Sequence, residues 1–217
     1  MASNLRRALV PRLRTPDQPR IDLLFGVSAI SIPEALARTR NQFDGFTCNH
    51  CGFTSGKYQM TSQCGPSHRT LRDLATTCRP CWQVMNLEAA ITARSAKLIW
   101  LPELSQTDLN RYMPELYAAR IAQGTPAALA KNVLSILMAR CDKLKEHGEV
   151  ADLKEMVGLL RTAEHKRDQA ANDRVLAPFD DGLRLLPLDR WIVREKNLEF
   201  NLYPQMLAYF RSRNGPA

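Results

Sequence analysis

Two closely spaced cysteine pairs constrain the fold of this chain more than any other feature. They follow the pattern C-x2-C-x26-C-x2-C and comprise Cys48, Cys51, Cys78 and Cys81. Two residues between sulfurs allow one tight turn to direct both thiolates at a single ion, and two such turns complete a tetrahedron. The spacing therefore predicts one structural zinc ion held by these four residues, with no coordination position left for water or substrate.

An iron–sulfur cluster and four unligated thiols remain open as alternatives. We expect no secretion signal, because no apolar run follows the first arginines before Pro11. Paired cysteines in such a chain favour metal binding over disulfides and predict a reducing, cytoplasmic setting. Of the remaining candidates, Cys64 is expected to be a free thiol, Cys141 a small core residue, and His50, between two ligands, to face solvent.

The charge and composition of the chain restrict the kinds of partner. A formal net charge of +8 predicts an acidic partner, such as nucleic acid, an anionic membrane surface or an acidic protein segment. A basic protein without such a partner is the alternative. The longest apolar candidate, residues 23–32, is too short for a membrane span, which needs about 20 residues.

The order of patterns along the chain predicts an α+β fold that is mostly helical, with a zinc core followed by a helical carboxyl-terminal extension. The proposed divisions are a flexible basic arm at 1–21, a zinc-binding domain at 22–124, and an extension packed on it at 125–217. Helices are predicted from the Ser31 cap to about residue 43, and over about 82–93, 105–124 with a kink or split at Pro114, 125–148 and 151–172. A strand or extended segment is predicted at 97–101, an irregular segment at 176–190, and an aromatic amphipathic end at 191–210.

Apolar residues at helical spacing define the predicted core faces of the later helices. These faces comprise Leu109, Tyr112, Met113 and Leu116; Leu129, Val133, Ile136, Leu137, Cys141 and Leu144; and Leu153, Met156, Val157, Leu160 and Ala163.

A cysteine knuckle, a loop or hairpin, and a second pair at a helix start resemble the treble-clef layout of HNH endonucleases. Those enzymes carry a His in the strand after the knuckle, an Asn before the second pair, and a His or Asn after it. Here residues 57–63 contain no His, Asp73 stands in the place of the Asn, and Trp82 follows the last cysteine. The resemblance therefore implies a scaffold without catalytic residues. A divergent endonuclease using His68 is an alternative.

Three parts of the chain together resemble the IcmJ/DotN family of type IVB secretion systems and related conjugation machines. They are 46–53 with 57–59, 74–78 with Cys81 and 87–89, and 98–106 with 109–110, within about residues 43–112. The resemblance implies a cytoplasmic, non-catalytic zinc protein that reaches the inner membrane through partners.

In that family the partners are the type IV coupling ATPase (DotL-like) and other coupling-complex subunits, which deliver effector proteins or DNA–relaxase to the channel. Trp82 and residues 63–66 depart from the family pattern. A nucleic-acid-binding zinc protein is a further alternative, although basic and acidic residues are interleaved after the amino-terminal arm.

Overall fold

The computed structural model describes residues 32–55, 59–64, 69–121, 124–144, 150 and 152–188. Within them the fold is α+β and mostly helical, as predicted. The predicted basic arm, His68 and the aromatic end at 191–210 lie outside the described residues. None of the helices in the described part of the chain combines the length and hydropathy needed to cross a membrane.

Eight helices and four strands are named here in chain order. The helices are α1 (Glu34–Phe43), α2 (Arg79–Val84), α3 (Leu87–Thr92), α4 (Gln106–Ile121), α5 (Thr125–Ala139), α6 (Leu153–Lys166), α7 (Gln169–Leu176) and α8 (Pro178–Asp181). The strands are β1 (Gln59–Gln63), β2 (Leu74–Cys78), β3 (Ala96–Trp100) and β4 (Leu183–Pro187), and a short 3-10 helix (Leu71–Asp73) precedes β2.

The strands form two separate antiparallel sheets. β1 pairs with β2 from Gln59 opposite Cys78 to Gln63 opposite Leu74. β3 pairs with β4, with Leu98 opposite Leu185 at the centre. β4 therefore lies beyond the predicted division at residue 124 and pairs with a strand before it; the division itself stays a prediction.

The β3–β4 sheet separates two apolar clusters. Leu98 and Leu185 belong to a first cluster with α2, α3 and α6, whereas Ile99 and Leu186 belong to a second with α4 and α5. Neighbouring residues of a strand point to opposite faces, so each strand supplies both clusters. Both faces of this small sheet are consequently buried.

Two of the predicted helices are each divided into two. In place of the single helix predicted over 82–93, the structure has α2 and α3, which are separated by Met85 and Asn86. The prediction over 151–172 becomes α6 and α7, because Arg167 adopts a left-handed conformation (φ 54°). The Asp168 side chain then accepts a hydrogen bond from the Ala171 backbone N–H at 2.9 Å. This interaction is an N-cap, which favours a new helix start over continuation.

A split at Pro114, one of the two predicted outcomes, is not found, because α4 runs through Pro114 as one helix of 16 residues. A proline inside a helix removes one backbone hydrogen bond. Met113 and Tyr117, on either side, are both buried in the second cluster. Their burial offsets the lost hydrogen bond and holds both halves of α4 against the same core.

The segment 176–190, predicted to be irregular, contains α8 and β4 instead. Arg184 conceals the strand in the sequence, because a charged residue is not expected at a buried position. Its guanidinium donates hydrogen bonds to the carbonyl oxygens of Leu104, Phe179 and Leu183. Burial lowers the pKa of Arg184 from its ordinary value, and the three carbonyls supply the polar contacts that the charge needs.

The predicted core face is correct for α6, whereas three of the six residues predicted for the core face of the 125–148 helix are exposed. All five predicted α6 residues are buried. Leu137 is buried, as is Leu144 beyond the end of α5, but Leu129, Val133 and Ile136 are exposed. The inward face instead carries Ala127, Ala130, Leu134 and Leu137. Small alanines allow two helix backbones to approach closely, so α5 turns this face towards the core.

Other predictions in this part of the chain have mixed outcomes. The first predicted helix is confirmed, but it begins at Glu34 with Pro33 at the N-cap position, whereas the predicted cap, Ser31, lies outside the described residues. The strand near 97–101 is confirmed. On α4, Leu109 and Met113 are buried, Leu116 is half-buried, and Tyr112 is exposed. Cys141 follows the end of α5 and is half-buried against the second cluster, and Gly148, the predicted end of that helix, lies outside the described residues.

Candidate metal centre

The fold brings the two cysteine pairs together as one buried cluster. The sulfur atoms of Cys48, Cys51, Cys78 and Cys81 all lie within 4.8 Å of one another, and each residue is at most 1% exposed. The Sγ atoms of Cys51 and Cys78 are 3.5 Å apart, far beyond the length of a disulfide bond, about 2.05 Å. Thiolates about 2.3 Å from one tetrahedral ion lie about 3.8 Å apart, so the geometry fits a single metal ion.

The first pair is held by a tight knuckle. The Cys48 backbone N–H donates to the Phe53 carbonyl at 2.8 Å, and the Gly52 N–H donates to the Cys48 carbonyl at 2.9 Å. Gly52 has φ 75°, a left-handed conformation that glycine adopts without steric cost. The Gln59 side chain in β1 braces the knuckle by donating to the carbonyls of Phe46 and Phe53, at 3.0 and 2.7 Å.

The second pair lies at a junction between a strand and a helix. Cys78 is the last residue of β2, and Cys81 lies in the first turn of α2. The Asn49 N–H, within the first knuckle, donates to the Thr76 carbonyl of β2 at 2.8 Å. This bond joins the two ligand-bearing segments directly and fixes the distance between the pairs.

The electrostatics of the cluster favour occupation by a cation. Hydrogen bonds from Cys51, and then from Cys78 and Cys81, lower the pKa of Cys48 strongly. Burial raises the pKa of Cys78 and of Cys81 well above the ordinary thiol value. Without an added positive charge, the cluster therefore resists the full ionisation that metal ligation requires. A bound divalent ion supplies that charge and replaces the protons.

A chain of buried amides connects the cluster to the second sheet. Asn110 of α4, fully buried, donates through Nδ2 to the Cys81 sulfur at 3.4 Å. Its Oδ1 accepts from Gln106 Nε2 at 2.9 Å. Gln106 Nε2 also donates to the Leu185 carbonyl at 2.8 Å, and Gln106 Oε1 accepts from the Leu185 N–H at 2.7 Å. The side-chain amide thus makes the pair of hydrogen bonds that a neighbouring strand would make with this residue. We call this Leu185–Gln106–Asn110–Cys81 chain the amide relay.

The remaining predicted site residues have different outcomes. His50 was expected to face solvent, but it is only 5% exposed. The knuckle that carries it is held against β2 by the hydrogen bond from the neighbouring Asn49 N–H to the Thr76 carbonyl. Cys64 forms no disulfide bond, and its thiol donates to the Arg72 carbonyl at 3.8 Å. It does not belong to the metal-binding group found among the described residues. His68 lies outside them.

The sequence prediction missed Asn110 and Gln106. Their signal is visible in retrospect: two amide residues four positions apart share a helix face with the apolar Leu109 and Met113. Polar residues on an otherwise buried face need partners there. Comparison of the chain with protein-family models found no match, and neither did a search of curated proteins.

Proposed function

We propose that this chain is a non-catalytic adaptor, stabilised by one zinc ion, of a type IVB secretion or conjugation coupling complex. The observation that carries the proposal is the closed cluster of Cys48, Cys51, Cys78 and Cys81. Its four buried sulfurs are enough to fill a tetrahedral coordination sphere. A zinc ion with four protein ligands has no open position for water, so it stabilises structure and does not activate a nucleophile.

The spacing of the sulfurs supports a single ion over an iron–sulfur cluster. A cluster places several irons and bridging sulfides between its thiolates, and this holds the thiolates farther apart than one ion does. Here all four sulfurs lie within 4.8 Å of one another. Tetrahedral thiolate sets are typical structural zinc sites, and the donated hydrogen bond from Asn110 to Cys81 is the kind of outer contact that orients such ligands.

The order of local elements supports an HNH-like treble-clef core. An isolated bridge between Thr47 and Thr54 closes the first knuckle. The β1–β2 hairpin follows, and α2 begins at the second cysteine pair. This is the succession of knuckle, hairpin and helix that the treble-clef prediction requires.

The composition of β1 supports a scaffold without catalysis. In HNH enzymes this region carries the general base, whereas β1 here contains no His. Its polar side chains have structural partners: Gln59 bonds the knuckle, and Thr61 donates to the Ala37 carbonyl or to Asn41 Oδ1, at 3.3 and 3.1 Å. Asp73 accepts a hydrogen bond from the Thr70 hydroxyl at 2.7 Å.

The adaptor role rests on the similarity to the IcmJ/DotN family within about residues 43–112. Members of that family attach to the coupling ATPase at the cytoplasmic face of the inner membrane. The net charge of +8 supports an acidic, extended segment of the ATPase as the partner. Such charge increases the rate of encounter more than it increases affinity.

Co-expression with the coupling ATPase tests the proposal. The two proteins should co-purify at moderate salt when the ATPase is whole, and co-purification should cease as the ATPase is shortened from its carboxyl end. Failure to co-purify in any form would overturn the adaptor role. DNA binding with a steep salt dependence would then favour the nucleic-acid-binding alternative.

A plasmid-nicking assay tests the absence of catalysis separately. The purified chain should not cleave duplex DNA when magnesium or manganese is added. Robust cleavage that disappears in His68→Ala would instead favour a divergent endonuclease. The Cys64→Ser variant is the matched control, because it changes another residue of the loop between the cysteine pairs and leaves the metal ligands intact.

A further inference from the structure

Helix α5 has a second apolar face that no described residue covers. Leu129, Val133 and Ile136 are 60%, 42% and 60% exposed. Their spacing of four and three residues places them on one side of the helix. We call these three residues the outer stripe. It lies beside the inward face that packs on the core, so the apolar part of α5 is wider than its contacts within the described fold require.

The outer stripe differs from the exposed surface of α6. That helix turns charged residues outward, including Lys154, Glu155, Arg161 and Glu164, with Leu159 as an isolated exposed apolar side chain. An isolated apolar residue on a surface is ordinary, but a contiguous group marks a contact. The outer stripe therefore indicates a surface that is occupied in the complete chain or in an assembly.

We propose that the outer stripe is covered by the chain's own carboxyl-terminal segment, residues 189–217. Leu188, the last described residue, donates its N–H to the Ser95 carbonyl at 2.7 Å. It packs against the second cluster, to which α5 contributes Leu134 and Leu137. The segment thus begins at the same apolar cluster that α5 contacts. The 15 residues of α5 span only about 22 Å, which the segment can follow even in a helical conformation.

The sequence of the segment is complementary to the outer stripe. Tyr203, Leu207 and Phe210 repeat the same spacing of four and then three residues. This pattern is typical of one face of an amphipathic helix, and Pro204 stands where a helix start tolerates proline. Two helices with matching apolar stripes can pack along their lengths.

The size of the outer stripe favours a tethered segment over a second copy of the chain. Three partly exposed aliphatic side chains offer on the order of 300 Å² of apolar surface, whereas a stable dimer buries about 800 Å² on each partner. A segment of the same chain needs less contact area, because its attachment supplies a high effective concentration. The same small area is therefore sufficient for intramolecular packing.

Hydrogen exchange measured by mass spectrometry on the full, metal-loaded chain tests this inference. In the native sequence, amides in peptides covering 203–211 should exchange more slowly than expected for an unstructured peptide. Ile136→Glu should accelerate them at least about tenfold, the factor expected from losing one buried aliphatic contact. Leu207→Glu should expose the same peptides and also accelerate exchange in α5. Leu159→Glu is the matched control and should change neither region.

Three outcomes would overturn the inference. The first is exchange of 203–211 at the unstructured rate in the native chain, and the second is slow exchange there that Ile136→Glu does not alter. The third is a dimer, measured by light scattering, that Ile136→Glu dissociates, which would assign the outer stripe to a second copy. Failure of the ATPase co-purification, by contrast, would overturn the proposed function and leave this intramolecular contact in place.

Discussion

Asn110 is the residue of the amide relay that contacts the cysteine cluster, and replacing it with leucine removes that contact. The substitution keeps the branched shape and the number of side-chain heavy atoms at a fully buried position. It eliminates the hydrogen bond from Nδ2 to the Cys81 sulfur, at 3.4 Å, and the acceptor for Gln106 Nε2, at 2.9 Å. Gln106 keeps both of its bonds to the Leu185 backbone.

The two lost hydrogen bonds differ in expected magnitude. A hydrogen bond to an ionised group contributes about 1.5–3 kcal/mol, and a neutral one about 1 kcal/mol. Gln106 Nε2 still donates to the Leu185 carbonyl in the variant, so losing its bond to Asn110 costs less than a full hydrogen bond. The added apolar surface of leucine offsets part of that cost. We therefore expect a net loss of roughly 2–3 kcal/mol in the free energy of unfolding of the metal-loaded protein.

Metal affinity should fall together with stability. A loss of about 1.5–3 kcal/mol at the thiolate corresponds to about 10–100-fold weaker binding, the range found when outer-shell contacts of metal sites are removed. Competition with a chromophoric zinc chelator, at fixed pH and salt, measures this directly. Urea unfolding of the loaded protein gives the change in stability from the same preparation.

The matched control is Tyr117→Phe, on the same helix. It removes the hydrogen bond from the Tyr117 hydroxyl to the Pro187 carbonyl, at 2.9 Å, without touching the cysteines. It should cost about 1 kcal/mol in stability and leave metal affinity within about twofold of the native value. If Asn110→Leu loses stability but retains native metal affinity, the relay does not act on the metal centre and the reasoning is refuted.

Three further predictions follow from the metal centre and the backbone. The purified chain should carry one zinc per molecule by elemental analysis, and Cys78→Ser should lose the metal and on the order of 10 kcal/mol of stability; stoichiometric iron, or full zinc retention in the variant, would contradict this. Burial raises the pKa of Cys78 and Cys81, whereas hydrogen bonds from Cys51, Cys78 and Cys81 lower the pKa of Cys48. In the metal-free fold, the stabilisation from Cys78 and Cys81 is therefore lost as the pH rises from the ordinary thiol pKa of 9.0 through their folded-state values, and that from Cys48 is lost as the pH falls below 9.0. The thermal midpoint of metal-loaded protein should fall on acidification, because protons compete with the metal for the thiolates. Chelator treatment should lower the thermal midpoint at neutral pH, because it removes an ion that binds only the folded state; equal midpoints for treated and untreated protein would exclude metal loading. Gly182→Ala should cost roughly 2–4 kcal/mol by urea unfolding, because Gly182 has φ 145° and an added Cβ would lie 2.8 Å from the Pro102 Cβ. Gly158→Ala, in α6 with nothing within 4 Å of its added Cβ, should instead be neutral or stabilising by up to about 1 kcal/mol, and equal losses in the two variants would refute the steric argument.

Features determined by short stretches of chain were predictable from the sequence. The C-x2-C spacing fixes each pair of sulfurs within one turn, so the grouping of Cys48 with Cys51 and of Cys78 with Cys81 follows from local geometry. The buried face of α6 also follows locally, because its apolar residues recur at helical spacing and the Asp152 side chain caps the helix by accepting from the Glu155 N–H.

The tertiary structure decided the features that join distant parts of the chain. The β3–β4 pairing was hidden because both faces of the sheet are buried, so neither strand shows the alternation of polar and apolar residues that marks a half-exposed strand. The orientation of α5 depends on which of two apolar faces fits α4, and periodicity within one helix cannot choose between them. The amide relay likewise needs α4, β4 and the cysteine cluster in one place. Local spacing encodes contacts within a turn, whereas contacts between turns depend on shape complementarity and on partners for buried polar groups, which exist only once the chain has folded.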